Sequence, residues 1–396
     1  MKKRIFLCTS VNFPRSGASA NYIQYLALAL KEEDWDVLLL GKGRNRPQDY
    51  NDDKQIYEYR GIEYCNVSCE NSGNHYSNSE YIKNFSHVLN DYRINEEDYA
   101  IIYTTNLKLI QCVSRFIQKD HLSICIVEWF QPSQFRLNVF SPAYLRHRFG
   151  FKYIRSNIHK IFPISQILAD YFRSSGCSTL VLPAMADPYE YEYMPTEFDR
   201  HKVRFIYSGN KVTDREDAVE AMLKAFLRIE RVERKRIEFH ITGLTRERIL
   251  QILHGDRNLL NELEQILIIH PWLDYEDLVK LYLQMDYLFL ARYNNKITRA
   301  NFPSKVPEIL CYGVIPICSD VGDYTKKYLR NGIDSIILEG CSTEECEKAI
   351  RFALNMKRKD KERFRLDCRS SAVQNFYYKN WSGRITDFIT NKLEVN

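Results

Sequence analysis

The densest group of residues able to do chemistry lies in Asn301-Phe-Pro-Ser-Lys-Val-Pro-Glu308 and the run from there to Ser319. Pro303 bars regular helix before it, Ser304 is a good N-cap, and Pro307 is tolerated in a first turn. Gly313 would stop the helix, and Val314-Ile-Pro-Ile-Cys318 reads as a buried strand. A helix start at the mouth of a parallel sheet offers free N–H groups and a positive dipole end to an anion. Lys305 would add a point charge. Glu308, one turn in, would accept hydrogen bonds from hydroxyls on the molecule that carries the anion. A phosphate with hydroxyls attached implies a nucleotide sugar. Further cations stand at Lys211 and Arg215, after Gly209, and at Arg299. No Asp-x-Asp closes a strand, so no metal ligand set is expected, and the charge of a departing diphosphate would fall to lysine, arginine and helix amides.

Something must hold these residues in place, and the chain alternates accordingly. Arg4 to Val11 is an apolar strand, Ala18 to Leu30 a helix with apolar residues at helical spacing, and Trp35 to Leu40 a second strand. One strand (Ile62 to Val67) is expected in the tyrosine-rich stretch 42–74. Strands at Tyr99–Tyr103 and Leu122–Val127 flank a helix from Leu107 to Gln118. Strands at Lys160–Ile164 and Thr179–Leu182 flank another from Gln166 to Ser174. Pro183 to His201 lacks periodicity and reads as a connection. The alternation restarts with Val203–Ser208 and a helix from Glu216 to Glu230. Strands follow at Ile237–Ile241, Ile266–Ile269, Tyr287–Leu290 and Ser335–Leu338, with a helix Tyr275–Gln284 and two C-terminal helices. The expected fold class is α/β: two Rossmann-like, doubly wound domains facing across a cleft, over residues 1–185 and 186–375, with a helix in 376–396 crossing back to the first.

Composition sets the outer bounds. The 396 residues suffice for two cores, and 45% hydrophobic with 27% charged residues is ordinary for a globular protein. A net charge of +5 selects no partner by itself. Eleven cysteines without a paired C-x2-C pattern suit reduced thiols and a cytoplasmic location, and no apolar run is long enough to span a bilayer. The expectation is no metal and no organic cofactor.

Taken in order, the motifs resemble the GT-B retaining glycosyltransferases of the family-four (glycosyl transferases group 1) type. The likeness runs through Ser16-Gly17, Glu128-Trp129, Ile164-Ser165, Val181-Leu-Pro183, Asp187, Tyr207-Ser-Gly209, Ile241-Thr-Gly243, Asp286 to Leu290, and Phe302-Pro-Ser-Lys305 with Glu308 and Gly313. The resemblance implies retaining transfer of a sugar from a nucleotide-diphosphate sugar, a UDP-sugar being preferred, to a saccharide or lipid-linked glycan. It places the donor in the C-terminal domain and the acceptor in the N-terminal one. Glu308 matches the second glutamate of the donor motif and would bind the ribose, while the loop Asn301 to Lys305 would face the diphosphate. Lys211 or Arg215 would be the phosphate cation, and spacing does not choose between them. Gly17 and Gly209 would border the phosphates, Gly243 and Pro271-Trp-Leu273 would cradle the base, and Arg299 would either line the site or point to water. Glu128, at a strand end, would orient the acceptor or form a structural ion pair. The first donor-motif glutamate is absent, its place taken by Ala300.

Two features widen the options. From Trp129 to Ala169 there is no acidic residue, while Arg136, Arg146, Arg148, Lys152, Arg155 and Lys160 alternate with aromatics. That pattern fits an anionic membrane surface such as the inner leaflet, with the protein peripheral there, or an ordinary solvated face. With no recognisable nucleic-acid module, nucleic acid is not expected. Ala300 keeps open a non-catalytic GT-B partner protein, and the architecture also hosts sugar-nucleotide epimerases. A dinucleotide dehydrogenase is disfavoured by the missing G-x-G-x-x-G fingerprint.

Overall fold

The computed structural model describes residues 2–14, 17–42, 56–67, 78–192, 202–209 and 216–392. Lys211 and Arg215, and Ser16 beside Gly17, lie outside the described residues. The chain divides into one compact unit of Met1–Met185, Ala300–Phe302 and Tyr378–Asn396, and a second of Ala186–Arg299 and Pro303–Tyr377.

The first unit is built on a sheet of β1 (Arg4–Thr9), β2 (Asp36–Gly41), β3 (Tyr57–Tyr59), β4 (Ile62–Asn66), β5 (Tyr99–Tyr103), β6 (Leu122–Ile126), β7 (Lys160–Pro163) and β8 (Ser178–Thr179). Their order is β3-β4-β2-β1-β5-β6-β7-β8, parallel throughout except for β3 against β4. Strands buried on both faces must be largely apolar; Ile5 to Cys8 and Val37 to Leu40 are continuously so, and Leu122 to Ile126 is interrupted only by the buried Ser123. The helix Lys379–Ile389 belongs to this unit. Trp35 Nε1 donates to Thr386 Oγ1 at 2.9 Å, and the buried Lys160 ammonium donates to the carbonyls of Asp120 and Ile389 at 2.5 Å each.

The second unit's sheet contains β9 (Val203–Ser208), β10 (Ile237–Thr242), β11 (Leu267–His270), β12 (Tyr287–Leu290), β13 (Ile315–Ser319) and β14 (Ile336–Leu338). The order β11-β10-β9-β12-β13-β14 is parallel throughout and reverses direction of growth between β9 and β12. Open α/β sheets bind ligands at such a switch point, beyond the carboxyl ends of the strands.

Several expectations need correction. The stretch 42–74 contributes a hairpin rather than one strand: Arg60 and Gly61 both adopt positive φ (55° and 75°) and turn β3 onto β4. The helix from Leu107 stops at Val113, and β8 extends only over Ser178–Thr179. Three helices rather than two follow β14, at Thr343–Asn355, Arg358–Ser371 and Lys379–Ile389. The helix of the opening motif covers Lys305–Cys311, and Ser304 does not cap it. That residue has helical angles (φ −57°, ψ −20°) and its side chain makes no capping hydrogen bond, because the chain already turns at Pro303, whose carbonyl accepts from Val306 N–H at 3.0 Å. At the other end Gly313 (φ 66°) closes a Schellman motif. Its N–H reaches Leu310 O at 3.0 Å, and that of Val314 reaches Ile309 O at 3.1 Å.

Candidate donor and acceptor sites

Glu308 stands on the short helix Lys305–Cys311, whose last carbonyl, Cys311 O, accepts from the Arg369 guanidinium. The residue as a whole is half-buried, yet Oε1 is sealed from solvent and has no hydrogen-bond partner. The Tyr275 hydroxyl hydrogen-bonds its carboxylate, and the Lys305 ammonium favours its charge. Burial outweighs both and pushes Glu308 up to about 7. Lys305 is held down from the ordinary lysine range by the same burial, partly offset by Asp217 and Glu308. An aromatic wall surrounds the carboxylate: Tyr275 is hydrogen-bonded to Tyr312, and Tyr282 stacks on Tyr312 with centroids 6.3 Å apart. A buried carboxylate oxygen without a donor costs free energy until something supplies one.

A second group lies at the strand ends around β9 and β12. Asp217 accepts from Tyr207 Oη at 2.8 Å and from Arg292 Nε at 3.1 Å, while Glu216 lies 3.5 Å from Arg292 Nη2. Arg292 is buried, and its Nη1 has no partner. Neither Arg292 nor Asp217 carries a motif signal. The available cue was positional, an arginine two residues beyond a strand at the switch point. Gly209 follows β9, and its N–H reaches Thr242 O at 3.2 Å. A Cβ at Gly209 would stand 2.4 Å from the Tyr207 hydroxyl, so the tyrosine that orients Asp217 requires the glycine. Gly243 follows β10 with φ 82°, a conformation glycine adopts freely.

The remaining predicted residues have the following surroundings. Arg299 is exposed and turns back on its own helix, Nε donating to Asn295 O at 3.3 Å. Leu273 is half-buried beside the exposed Trp272. Asn301 belongs to the first unit, where its Oδ1 accepts the Trp129 N–H at 2.7 Å. Ala300 is fully buried, and its carbonyl accepts from Ser165 Oγ at 2.7 Å. The first unit gathers its own group. Gly17 (φ 100°) starts the helix Ala18–Glu32, in whose first turn Ser19 hydrogen-bonds Tyr103. Glu128 follows β6 and is exposed; its charge and the burial of Tyr103 both raise that phenol. Ser19, two residues after Gly17, and Glu128 thus both act on Tyr103, at the carboxyl end of β5.

The architecture is shared with solved structures over the full chain. Sucrose-phosphate synthase from Thermosynechococcus elongatus aligns with a TM-score of 0.71 at 14% identity, covering 99% of both chains. HepE from Anabaena, solved in complex with UDP-glucose, aligns with a TM-score of 0.69 at 12% identity, covering 98% of this chain and 99% of the other. WaaG, a glycosyltransferase involved in lipopolysaccharide biosynthesis, aligns at 0.67 and 13%, with the same coverage. These are GT-B glycosyltransferases, and the fold here is theirs, as the resemblance implied. No curated protein matches the sequence. Residues 197–369 match the family described as glycosyl transferases group 1, in line with the resemblance. That match and the GT-B neighbours support sugar transfer from a nucleotide sugar.

Proposed function

We propose that the protein is a retaining glycosyltransferase that moves a hexose-class sugar from a nucleotide diphosphate to a saccharide or lipid-linked glycan. The observation that carries the reading is the sealed, unpartnered Oε1 of Glu308 on a helix that begins with Lys305. A ribose hydroxyl donating to that oxygen satisfies it, and the diphosphate of the same ligand adds counter-charge for the buried Lys305. Support for a uridine donor comes from HepE, which was solved with UDP-glucose. Negative charge grows on the diphosphate as the glycosidic bond breaks. In this scheme Lys305, Lys211 or Arg215 and nearby N–H groups meet it without a metal ion. Retention follows from front-face attack guided by the departing phosphate, with Glu128 and the Gly17 loop on the acceptor side.

The test is a thermal-shift panel of UDP-, GDP-, ADP- and dTDP-sugars on the intact chain and on Glu308→Ala, followed by transfer assays with glycan acceptors and EDTA. Stabilisation by one donor class, lost in the variant, supports the site. Equal shifts in both proteins refute it. Binding without turnover against every acceptor would favour the non-catalytic reading that Ala300 invites, and free nucleotide release without an acceptor would favour an epimerase.

A further inference from the structure

The acid-free stretch after β6 folds into a turn and a helix with an unusual surface. The chain passes through Asn138–Phe140, where Asn138 adopts φ 52°, and enters the helix Pro142–Asn157. Backbone hydrogen bonds fix the turn: Asn138 N–H to Phe135 O at 2.9 Å, Phe140 N–H to Leu137 O at 3.0 Å and Ser141 N–H to Asn138 O at 3.1 Å. Phe135 is in turn anchored on Phe130 and Tyr144. This order keeps large apolar side chains in water: Leu137 is 58% exposed, Phe140 79% and, on the helix, Phe149 55%. The helix buries His147, Gly150, Phe151 and Ile154 and exposes Arg146, Arg148, Phe149 and Lys152. Arg136 is exposed beside Leu137.

We propose that this face docks the chain on an anionic lipid bilayer, with Leu137, Val139 and Phe140 entering the headgroup region and Arg136, Arg146, Arg148 and Lys152 meeting lipid phosphates. Exposed apolar residues on a hydrogen-bonded turn, followed on the next helix by exposed cations and no acids, are the chemistry of an interfacial anchor, each cation contributing on the order of 1 kcal/mol near an anionic surface. A second copy of the same face is a poor occupant, because four like charges would oppose four. The interaction needs no nucleotide sugar, so it stands or falls apart from the donor reading.

Co-sedimentation of the full chain with phosphatidylcholine vesicles, with or without about one-third phosphatidylglycerol, tests it. Binding is expected only to the anionic vesicles and to weaken with salt. The Arg146→Glu/Arg148→Glu/Lys152→Glu variant should lose it, and Leu137→Ser/Phe140→Ser should bind about tenfold more weakly or worse. Arg146, Arg148 and Lys152 are exposed, and Leu137 and Phe140 are largely so, so unchanged circular dichroism and thermal unfolding are expected for both variants. Absence of wild-type binding, equal binding by either variant, or an oligomer dispersed by Phe140→Ser in place of vesicle binding would overturn the proposal. So would a preference for RNA over vesicles in competition.

Discussion

Replacing Glu308 by Gln keeps the shape of the side chain and removes its titration. In the folded wild-type protein burial raises the carboxyl from the model-compound value of 4.5 to about 7. The native state therefore binds this proton more tightly than the unfolded chain does, and stability falls as pH rises from about 4.5 to about 7 and then levels off. At about 1.4 kcal/mol per pH unit the full effect is on the order of 3 kcal/mol at pH 8, and under about 1 kcal/mol at pH 5. Glu308→Gln avoids that cost. Its advantage over the wild-type protein in urea denaturation should thus widen by about 2 to 3 kcal/mol between pH 5 and pH 8. Ligand binding should work the other way. A donor hydroxyl on Oε1 stabilises the charged form, so the wild type should bind its nucleotide sugar more tightly at pH 8 than at pH 6. Calorimetry in two buffers of different ionisation enthalpy should show protons released on binding near pH 7. Glu308→Gln should show neither dependence. A stability gap that stays constant across this range would refute the account of Glu308 as a carboxylate stranded by burial.

Three other perturbations carry their own tests. Asp217→Asn leaves Arg292 buried with only Glu216 nearby, and the second unit should lose about 3 kcal/mol of stability by chemical denaturation; a loss below about 1 kcal/mol would show that Glu216 suffices. Lys160→Met orphans the carbonyls of Asp120 and Ile389, at a cost of about 1 to 3 kcal/mol, with faster amide exchange concentrated in the helix Lys379–Ile389 as the expected signature. Lys211→Ala or Arg215→Ala should weaken a nucleoside diphosphate by about tenfold or more in calorimetry while leaving the free nucleoside unaffected.

Much of the fold could be read from the chain because its strands are buried on both faces. Phe205 to Tyr207 and Tyr287 to Leu290 are continuous apolar runs, and the strands Val203–Ser208 and Tyr287–Leu290 form as expected. The hairpin β3–β4 escaped because its turn uses Arg60 in a left-handed conformation that the residue type does not advertise, and because Tyr57-Glu-Tyr59 is not apolar. Ser304 illustrates the limit of local signals: a good capping residue by type, it is bypassed because Pro303 already supplies the turn. Among the described residues the motif positions Gly209, Gly243, Lys305 and Glu308 were visible because each meets a local backbone or charge requirement. The Tyr207–Asp217–Arg292 group was invisible for the opposite reason. Its members are 10 and 75 residues apart in sequence and meet only through the order of β9 and β12.

Charge accounting explains why the residues after Gly209 matter to the chemistry. Lys305 and Arg292 bring two positive charges to the described part of the proposed donor site. Asp217 and Glu216 together offset both of these, and Glu308 with a pKa of about 7 adds roughly half a negative charge near pH 7. The described residues thus offer a diphosphate little net attraction. A leaving group that gains charge during bond cleavage needs more than this, since each uncompensated charge in a site of low polarity is costly. Lys211 and Arg215 are the cations the sequence places next to the carboxyl end of β9, and together they would reverse the sign of the site. A divalent cation on the diphosphate is the other way to supply that charge. The two routes make opposite demands: with lysine and arginine, transfer survives EDTA and fails in Lys211→Ala/Arg215→Ala; with a metal ion, it fails in EDTA and the double substitution is tolerated.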